Sequence, residues 1–219
     1  MVETNVYTVR FEGNAITATV TSSGEAVERW VDEVLSVHRP RLHKLVVGLD
    51  VEWRPSYGPE YSPTALLQLC VGRRCLILQL LHADYIPDAL VHVKSEASMV
   101  EAPSPNSVQF LGDADYRFVG VGVGADAERL SYDHDYLEVA NTVDLREVAA
   151  EEMNRPDLRH AGLKDIASAV MGANVEKPRR VTMGRWDDYY LSNEQIEYAC
   201  IDAFVSFEIG RMLLPDDHY

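Results

Sequence analysis

Cationic side chains are scarce in this chain: 20 Lys and Arg stand against 35 Asp and Glu, a formal net charge of −15. A protein that coats a nucleic-acid duplex carries an excess of Lys and Arg to displace counterions. The balance therefore excludes extensive docking along a polyanion, though not a small site that grips a few units of one. Cysteine is scarce too. Cys70, Cys75 and Cys200 are odd in number and show no C-x-x-C spacing. That argues against a disulfide framework or a cysteine zinc site, fits a reducing compartment, and leaves all three as packing residues. Apolar runs fall short of the roughly 18–20 residues that span a bilayer, so no membrane partner is expected. The opening Met1-Val2-Glu3-Thr4-Asn5 lacks a basic stretch followed by an apolar one, so no secretory signal is expected. Internal repeats and low-complexity tracts are lacking.

What remains is an ordinary globular composition, 47% hydrophobic and 25% charged over 219 residues, enough for one large domain over residues 1–219. Residues 1–40 read as a hairpin and helix. Val6–Phe11 and Ala15–Thr21 flank a Glu12-Gly13-Asn14 turn, and Ser22-Ser23-Gly24-Glu25 opens a helix to about His38 with Val27, Trp30, Val31, Val34 and Leu35 on one face. Residues 45–213 read as the core. Leu45–Trp53 is a nearly continuous apolar run and a candidate central strand. Ala65–Val71 and Cys75–Leu81 are strands about a Gly72-Arg73-Arg74 turn. The pattern predicts a helix from Pro87 to about Met99, a loop over 102–107, and a strand over Phe118–Val123. Further helices are predicted near Ala125–Tyr132, Leu145–Met153, Leu163–Met171 and Ser192–Leu213. Strands followed by helices about one apolar strand predict an α/β layered fold.

Three features carry chemistry. In Gly48-Leu49-Asp50-Val51-Glu52-Trp53, Asp50 and Glu52 project from the same strand face. Paired carboxylates beside apolar neighbours repel unless a cation joins them, and hard oxygen ligands suit Mg²⁺ or Mn²⁺. A site of that kind turns locally cationic once loaded, whatever the charge of the whole chain. Alone, the pair reads equally as two acids at an exposed strand end. In Tyr198-Ala199-Cys200-Ile201-Asp202, the phenol and carboxylate sit one helical turn apart; alone, they read as a core tyrosine with an acidic partner. Gly120-Val121-Gly122-Val123-Gly124 lacks the G-x-G-x-x-G spacing of a dinucleotide loop. It leads instead to Asp126 at the head of a helix, where the macrodipole favours an acid in any case.

The order of these features is more specific than any one of them. Asp-x-Glu on a strand, Asp opening a helix after a glycine-rich strand, and Tyr-x-x-x-Asp near the C-terminus together resemble the DEDD superfamily of 3′→5′ exonucleases. The resemblance covers nearly all of residues 45–213, and Tyr198, with Glu at 197, is similar to the tyrosine-type branch. Leu66-Leu67-Gln68-Leu69-Cys70 with Arg74-Cys75-Leu76-Ile77, Ala161-Gly162-Leu163-Lys164, and Trp186 with Leu191–Asp202 extend it. It is closest to plant proteins similar to the Werner-syndrome exonuclease domain, here without a helicase segment. The N-terminal hairpin and Trp30 helix resemble the small plant exoribonucleases that associate with the RNA-silencing complex. Two features depart from the pattern: residues 92–107 look longer than the usual connection, and Gly184 stands where relatives often have Ser.

The resemblance implies a ribonuclease H-like exonuclease fold, a central mixed sheet flanked by helices. It implies two ions, Mg²⁺ or Mn²⁺, held by Asp50, Glu52, Asp126 and Asp202, with Asp50 bridging and Tyr198 orienting the attacking water. Trp53 or Leu67 would stack or wedge against the terminal base. Arg54, Lys164, Lys177, Arg179, Arg180 and Arg185 would meet phosphates, each reading equally as a solvated surface charge. The implied substrate is single-stranded nucleic acid, RNA favoured, released as 5′-monophosphates. The implied partners are copies of itself, as a homo-oligomer and a hexameric ring in the narrower match, and an RNA-silencing protein, in the cytoplasm and also the nucleus. The alternatives left open are a DNA exonuclease of Werner type and a catalytically silent scaffold for nucleic acid or protein.

Overall fold

The computed structural model describes residues 2–56, 58–91 and 109–214. Strands β1 (Thr4–Phe11) and β2 (Asn14–Thr21) form an antiparallel hairpin in which Phe11 faces Asn14. The two-residue turn needs positive φ at both positions, and Glu12 and Gly13 adopt 46° and 76°. Ser23 caps α1 (Gly24–His38) by accepting from the Ala26 amide, and the helix buries Val27, Trp30, Val31 and Val34. Then come β3 (Val46–Trp53), β4 (Thr64–Val71), β5 (Arg74–Gln79) and β6 (Arg117–Gly120). The rest is α2 (Val123–Asp133), β7 (Thr142–Asp144), α3 (Leu145–Glu152), α4 (Leu163–Met171), the one-turn α5 (Arg179–Thr182) and α6 (Asn193–Leu213).

The seven strands among the described residues form one mixed sheet in the order β1-β2-β5-β4-β3-β6-β7. β3 is antiparallel to β4 and parallel to β6, and the hairpin joins the sheet by parallel pairing of β2 with β5. β4 is buried along its whole length, which is why it reads as an apolar run broken only by Gln68 after its first residue. α6 crosses the sheet over β3, β4 and β5. Its N-terminus is held by a capping box, with Ser192 and Gln195 exchanging side-chain bonds to each other's amides. The helix reaches the sheet closely because β3 carries Gly48 there: a Cβ at Gly48 would collide with the carbonyl oxygen of Ala203. Gly48, Asp50 and Glu52 share a strand face, so the Asp-x-Glu pair points toward α6.

Three predicted elements change, the first being β5, predicted to run to Leu81 but ending at Gln79 before a 3-10 turn over Leu80–His82. The strand over Phe118–Val123 ends at Gly120, and Gly122 takes the left-handed conformation (φ 76°), so α2 begins at Val123 rather than Ala125. Val123 is apolar because it is itself fully buried as the first residue of the helix, not because the strand continues. Residues 87–91 form a turn, with the Leu90 amide donating to the Pro87 carbonyl at 2.9 Å, and no helix begins at Pro87. The rest of that predicted helix, the 102–107 loop and the whole of the long 92–107 connection lie outside the described residues. Gly184 has a local cause: a Cβ there would stand 2.8 Å from the Val181 carbonyl oxygen, so a serine would have to displace the end of α5.

Candidate active site

The register of the sheet and the crossing of α6 bring the expected acids together. Asp50 and Glu52 arrive from β3, Asp126 from the first turn of α2, and Tyr198 and Asp202 from consecutive turns of α6. Asp202 is 2% exposed, and Tyr198 is buried beside Trp186, with ring centroids 5.9 Å apart. Burial, then the charges of Asp202 and Asp126, push the Asp50 carboxyl well above its ordinary range. Glu52 is raised in the same way by burial and by Asp50 and Asp202. Asp126 is pushed up to about 7 by burial and by Asp144. Acids whose charges push up the Asp50 and Glu52 carboxyls form a site short of positive charge.

One cation stands among them. Lys177 donates from Nζ to Asp202 Oδ2 at 2.8 Å and lies 5.4 Å from the centre of the Tyr198 ring. Burial works against its charge, but Asp202, with Asp50 and Glu52 behind it, outweighs burial and raises its pKa. The other oxygen of Asp202, Oδ1, is buried without a hydrogen-bond partner. Among the described residues, no three His, Cys, Asp or Glu side chains close into a finished metal cage; the ammonium of Lys177 sits against the acid that would complete one. The donor set is nevertheless all carboxylate oxygen, with one acceptor open and an unmet need for positive charge, which fits a hard divalent cation. Tyr198 is held protonated, its pKa raised by burial and by Asp202 and Glu52.

The neighbours explain the placement of Asp126. Asp144 caps α3, accepts from the Gly122 amide at 3.2 Å, and is gripped by the Arg146 fork at 2.6 and 3.0 Å. Burial raises its pKa, but the Arg146 bonds prevail and hold it low. It thereby stays charged beside Asp126 and fixes the turn from which α2 departs. Sequence reasoning missed this residue; the signal was an Asp directly before a helix, D-L-R-E. It also missed Gln68, whose amide is fully buried and unpartnered, and which lies directly across from Asp50 in the β3–β4 register. The polar break in an otherwise apolar strand marked it.

The expected substrate contacts divide. Trp53 is 36% exposed at the end of β3 and carries the Arg129 guanidinium 4.1 Å from its ring centre. Leu67 has no exposed surface and pairs with Val51, on the opposite sheet face from Asp50, so it reaches no substrate. The expected wedge there is corrected by strand parity. Arg54 pairs with Asp187 at 3.1 Å and Arg185 with Asp188 at 2.9 Å, both keeping about half or more of their side chains in solvent. Arg180 pairs with Glu194. Lys164 is exposed in the first turn of α4, and the charges acting on Asp50, Glu52 and Asp126 come from other residues. A cavity of about 390 Å³ opens beside Tyr198 and Asp202, walled by Phe11 of the hairpin and by Pro178, Arg180 and Glu194.

Residues 19–216, which include every acid of this site, match the family profile described as 3′-5′ exonuclease. The chain belongs to the 3′-5′ exonuclease family. A 3′-5′ exonuclease of Arabidopsis thaliana is 27% identical over 218 residues, 97% of this chain and 68% of that protein. The bifunctional 3′-5′ exonuclease/ATP-dependent helicase WRN of Mus musculus is 26% identical over 170 residues, 77% of this chain but 11% of that protein. Among solved structures, the EXO domain of Aedes aegypti Nibbler superposes with a TM-score of 0.67 at 15% identity, covering 94% of this chain and 90% of that one. That likeness is one of fold, and it identifies the mixed sheet with its crossing helix as the ribonuclease H-like exonuclease architecture. The exonuclease family, its DEDD resemblance and its fold are thus those the motifs implied.

Proposed function

We propose that this exonuclease removes single nucleotides as 5′-monophosphates from the 3′ end of a single-stranded nucleic acid, RNA before DNA. Asp50, Glu52, Asp126 and Asp202 would hold two Mg²⁺ or Mn²⁺ ions. The observation that carries the reading is the convergence of Asp50, Glu52 and Asp202 on one lysine and one protonated tyrosine, with the charge of Asp126 acting on Asp50 and Glu52. When bound, the ions would supply a nucleophilic water at neutral pH and stabilise the leaving 3′-oxygen. Asp50, which feels the charges of both Asp202 and Asp126, would help to hold both ions. Tyr198 keeps its proton, so it orients water by hydrogen bonding rather than acting as a base. Lys177 is free to turn from Asp202 to a phosphate oxygen once other positive charge has reached the carboxylates.

The charge of −15 supports a substrate that enters as one strand, since a duplex would have to lay its phosphates along an acidic surface. The preference for RNA rests on the resemblance to small exoribonucleases. The test uses end-labelled single-stranded RNA, single-stranded DNA and blunt duplex DNA of one sequence at fixed salt, with Mg²⁺, Mn²⁺ or EDTA. One-nucleotide ladders from single-stranded RNA, abolished by EDTA and restored by either ion, are expected. Equal rates on blunt duplex DNA would move the reading to a DNA exonuclease. Binding without hydrolysis under every condition would leave a silent scaffold.

A further inference from the structure

Two solvent-facing tyrosines pack against each other, and one of them is anchored by a carboxylate and a cation. Tyr61, on the segment between β3 and β4, is 57% exposed, and Tyr132, on α2, is 77% exposed. Their rings meet edge to face, with centroids 5.8 Å apart at 77°. The Tyr61 hydroxyl donates to Asp133 Oδ1 at 2.6 Å, while Asp133 Oδ2 accepts from the Thr64 amide and hydroxyl at 2.6 and 2.7 Å. Arg129 completes the assembly. Its guanidinium lies 5.1 Å from the Tyr61 ring centre and 4.1 Å from that of Trp53, and it donates to the Ser62 carbonyl. Arg129 lies one helical turn beyond Asp126 and its charge acts on that carboxyl, so the aromatic assembly reaches the edge of the carboxylate site through Arg129. Tyr61 is also one wall of a groove of about 600 Å³ that includes Arg54, Pro55, Pro63 and Asp187.

A solvent-facing ring fixed by a buried carboxylate and a cation, with a second ring packed against it, forms a stacking surface whose ordering cost has in part been met in folding. A chain with this excess of acid gains little from phosphate contacts, so affinity for a strand must come largely from its bases, which every aromatic face can stack. Arg129 serves the rings rather than phosphate, because its side chain is 23% exposed and already lies near Asp133, at 3.8 Å.

We propose that Tyr61, steadied by Arg129 and Asp133, and Tyr132, packed edge to face against it, form a stacking platform for the bases upstream of the scissile phosphate in a single-stranded nucleic acid. The proposal rests on the nuclease reading above, and its test separates the two. Oligonucleotide octamers with 2-aminopurine second or third from the 3′ end are titrated in Ca²⁺, and hydrolysis of dinucleotide and octamer is followed in Mg²⁺. The wild type should quench the fluorophore. Tyr132→Ala, at a position too exposed to threaten folding, should weaken octamer binding about tenfold and raise KM for the octamer far more than for the dinucleotide. Tyr132→Trp should restore both. Octamer affinity and quenching unmoved by Tyr132→Ala would overturn the platform, as would equal KM increases for the two substrates. Loss of octamer binding in Tyr132→Ala, with no hydrolysis by any variant or the wild type, would keep the platform and remove the nuclease reading.

Discussion

α2 carries two aspartates seven residues apart that live under opposite rules. Asp133 has a side chain 2% exposed, yet its ionised form is favoured. Burial raises its pKa, but the bonds from Thr64 and Tyr61 and the charge of Arg129 outweigh burial and hold it low. Asp126 is driven the other way, to about 7, because burial and Asp144 act on it with too little opposing charge from Arg129 and Arg146. The same side chain on the same helix is thus a finished structural hub at one end and an unfinished electrostatic site at the other. A buried carboxylate with every oxygen answered stabilises the fold; buried carboxylates answered mainly by one another await a ligand.

The largest effect expected from this contrast lies in the unfinished site. Asp50→Asn should reduce hydrolysis on the order of 10³-fold or more, as loss of a central electrostatic group does. It should leave the melting temperature in EDTA unchanged or higher, because one of several mutually repelling acids is gone. Tyr198→Phe should follow with a loss of roughly 10²-fold and near-normal Mn²⁺ binding by calorimetry. Full activity in Asp50→Asn would remove the site assignment, and an unchanged rate in Tyr198→Phe would make the tyrosine structural.

The unfinished site was the more legible of the two, and the reason is local periodicity. Asp50 and Glu52 share a face by strand alternation, Tyr198 and Asp202 by helical repeat, and both relations lie within five residues of sequence. α4 was predicted at its observed bounds, Leu163–Met171, and α6 within one residue, because Ser192 and Gln195 announce the cap. Relations that depend on the sheet were hidden. Leu67 differs from Gln68 only in parity, and parity relative to Asp50 is a matter of register with β3. β7 is three residues long, too short for any period to show, and Asp144 gains meaning only when parallel pairing sets it beside Gly120. The finished hub was invisible for the same reason. Thr64 and Tyr61 reach Asp133 across 69 and 72 residues of sequence, and nothing in either segment names the other.

Lys177 offers a way to sharpen the contrast at the point where the unfinished site is held closed. Its ammonium meets Asp202 at 2.8 Å with about a third of its side chain still exposed, so the pair is worth only ~1 kcal/mol. Lys177→Met should therefore lower the melting temperature modestly in EDTA and tighten Mn²⁺ binding by roughly 3- to 10-fold, since the competing cation is gone. Calorimetric titration reads the affinity directly. Weaker Mn²⁺ binding in the variant would show that Lys177 supports the ions rather than standing in for them.

The smallest effect, and the most direct test of the opposition between Asp126 and Asp133, is in stability against pH. Asp126 has a folded pKa of about 7 against an ordinary value of 3.8, so the folded state holds its proton more tightly. Its contribution is fully present below about pH 4 and is lost as pH rises through about 7. Asp133 has a lowered folded pKa, so its contribution is present above the ordinary carboxylate range and is lost as pH falls through the folded value. In EDTA, Asp126→Asn should flatten the fall in melting temperature between about pH 4 and 7, with a gain of about 1–2 kcal/mol at neutral pH after solvent screening. Asp133→Asn should cost about 2–3 kcal/mol at pH 7, because charge-assisted bonds are replaced by weaker ones, and the difference from wild type should close as pH falls below 4. For a domain of this size each kcal/mol moves the melting temperature by about 2–4 °C. Parallel pH profiles for the two variants would mean that the two aspartates do not differ in the way their surroundings dictate.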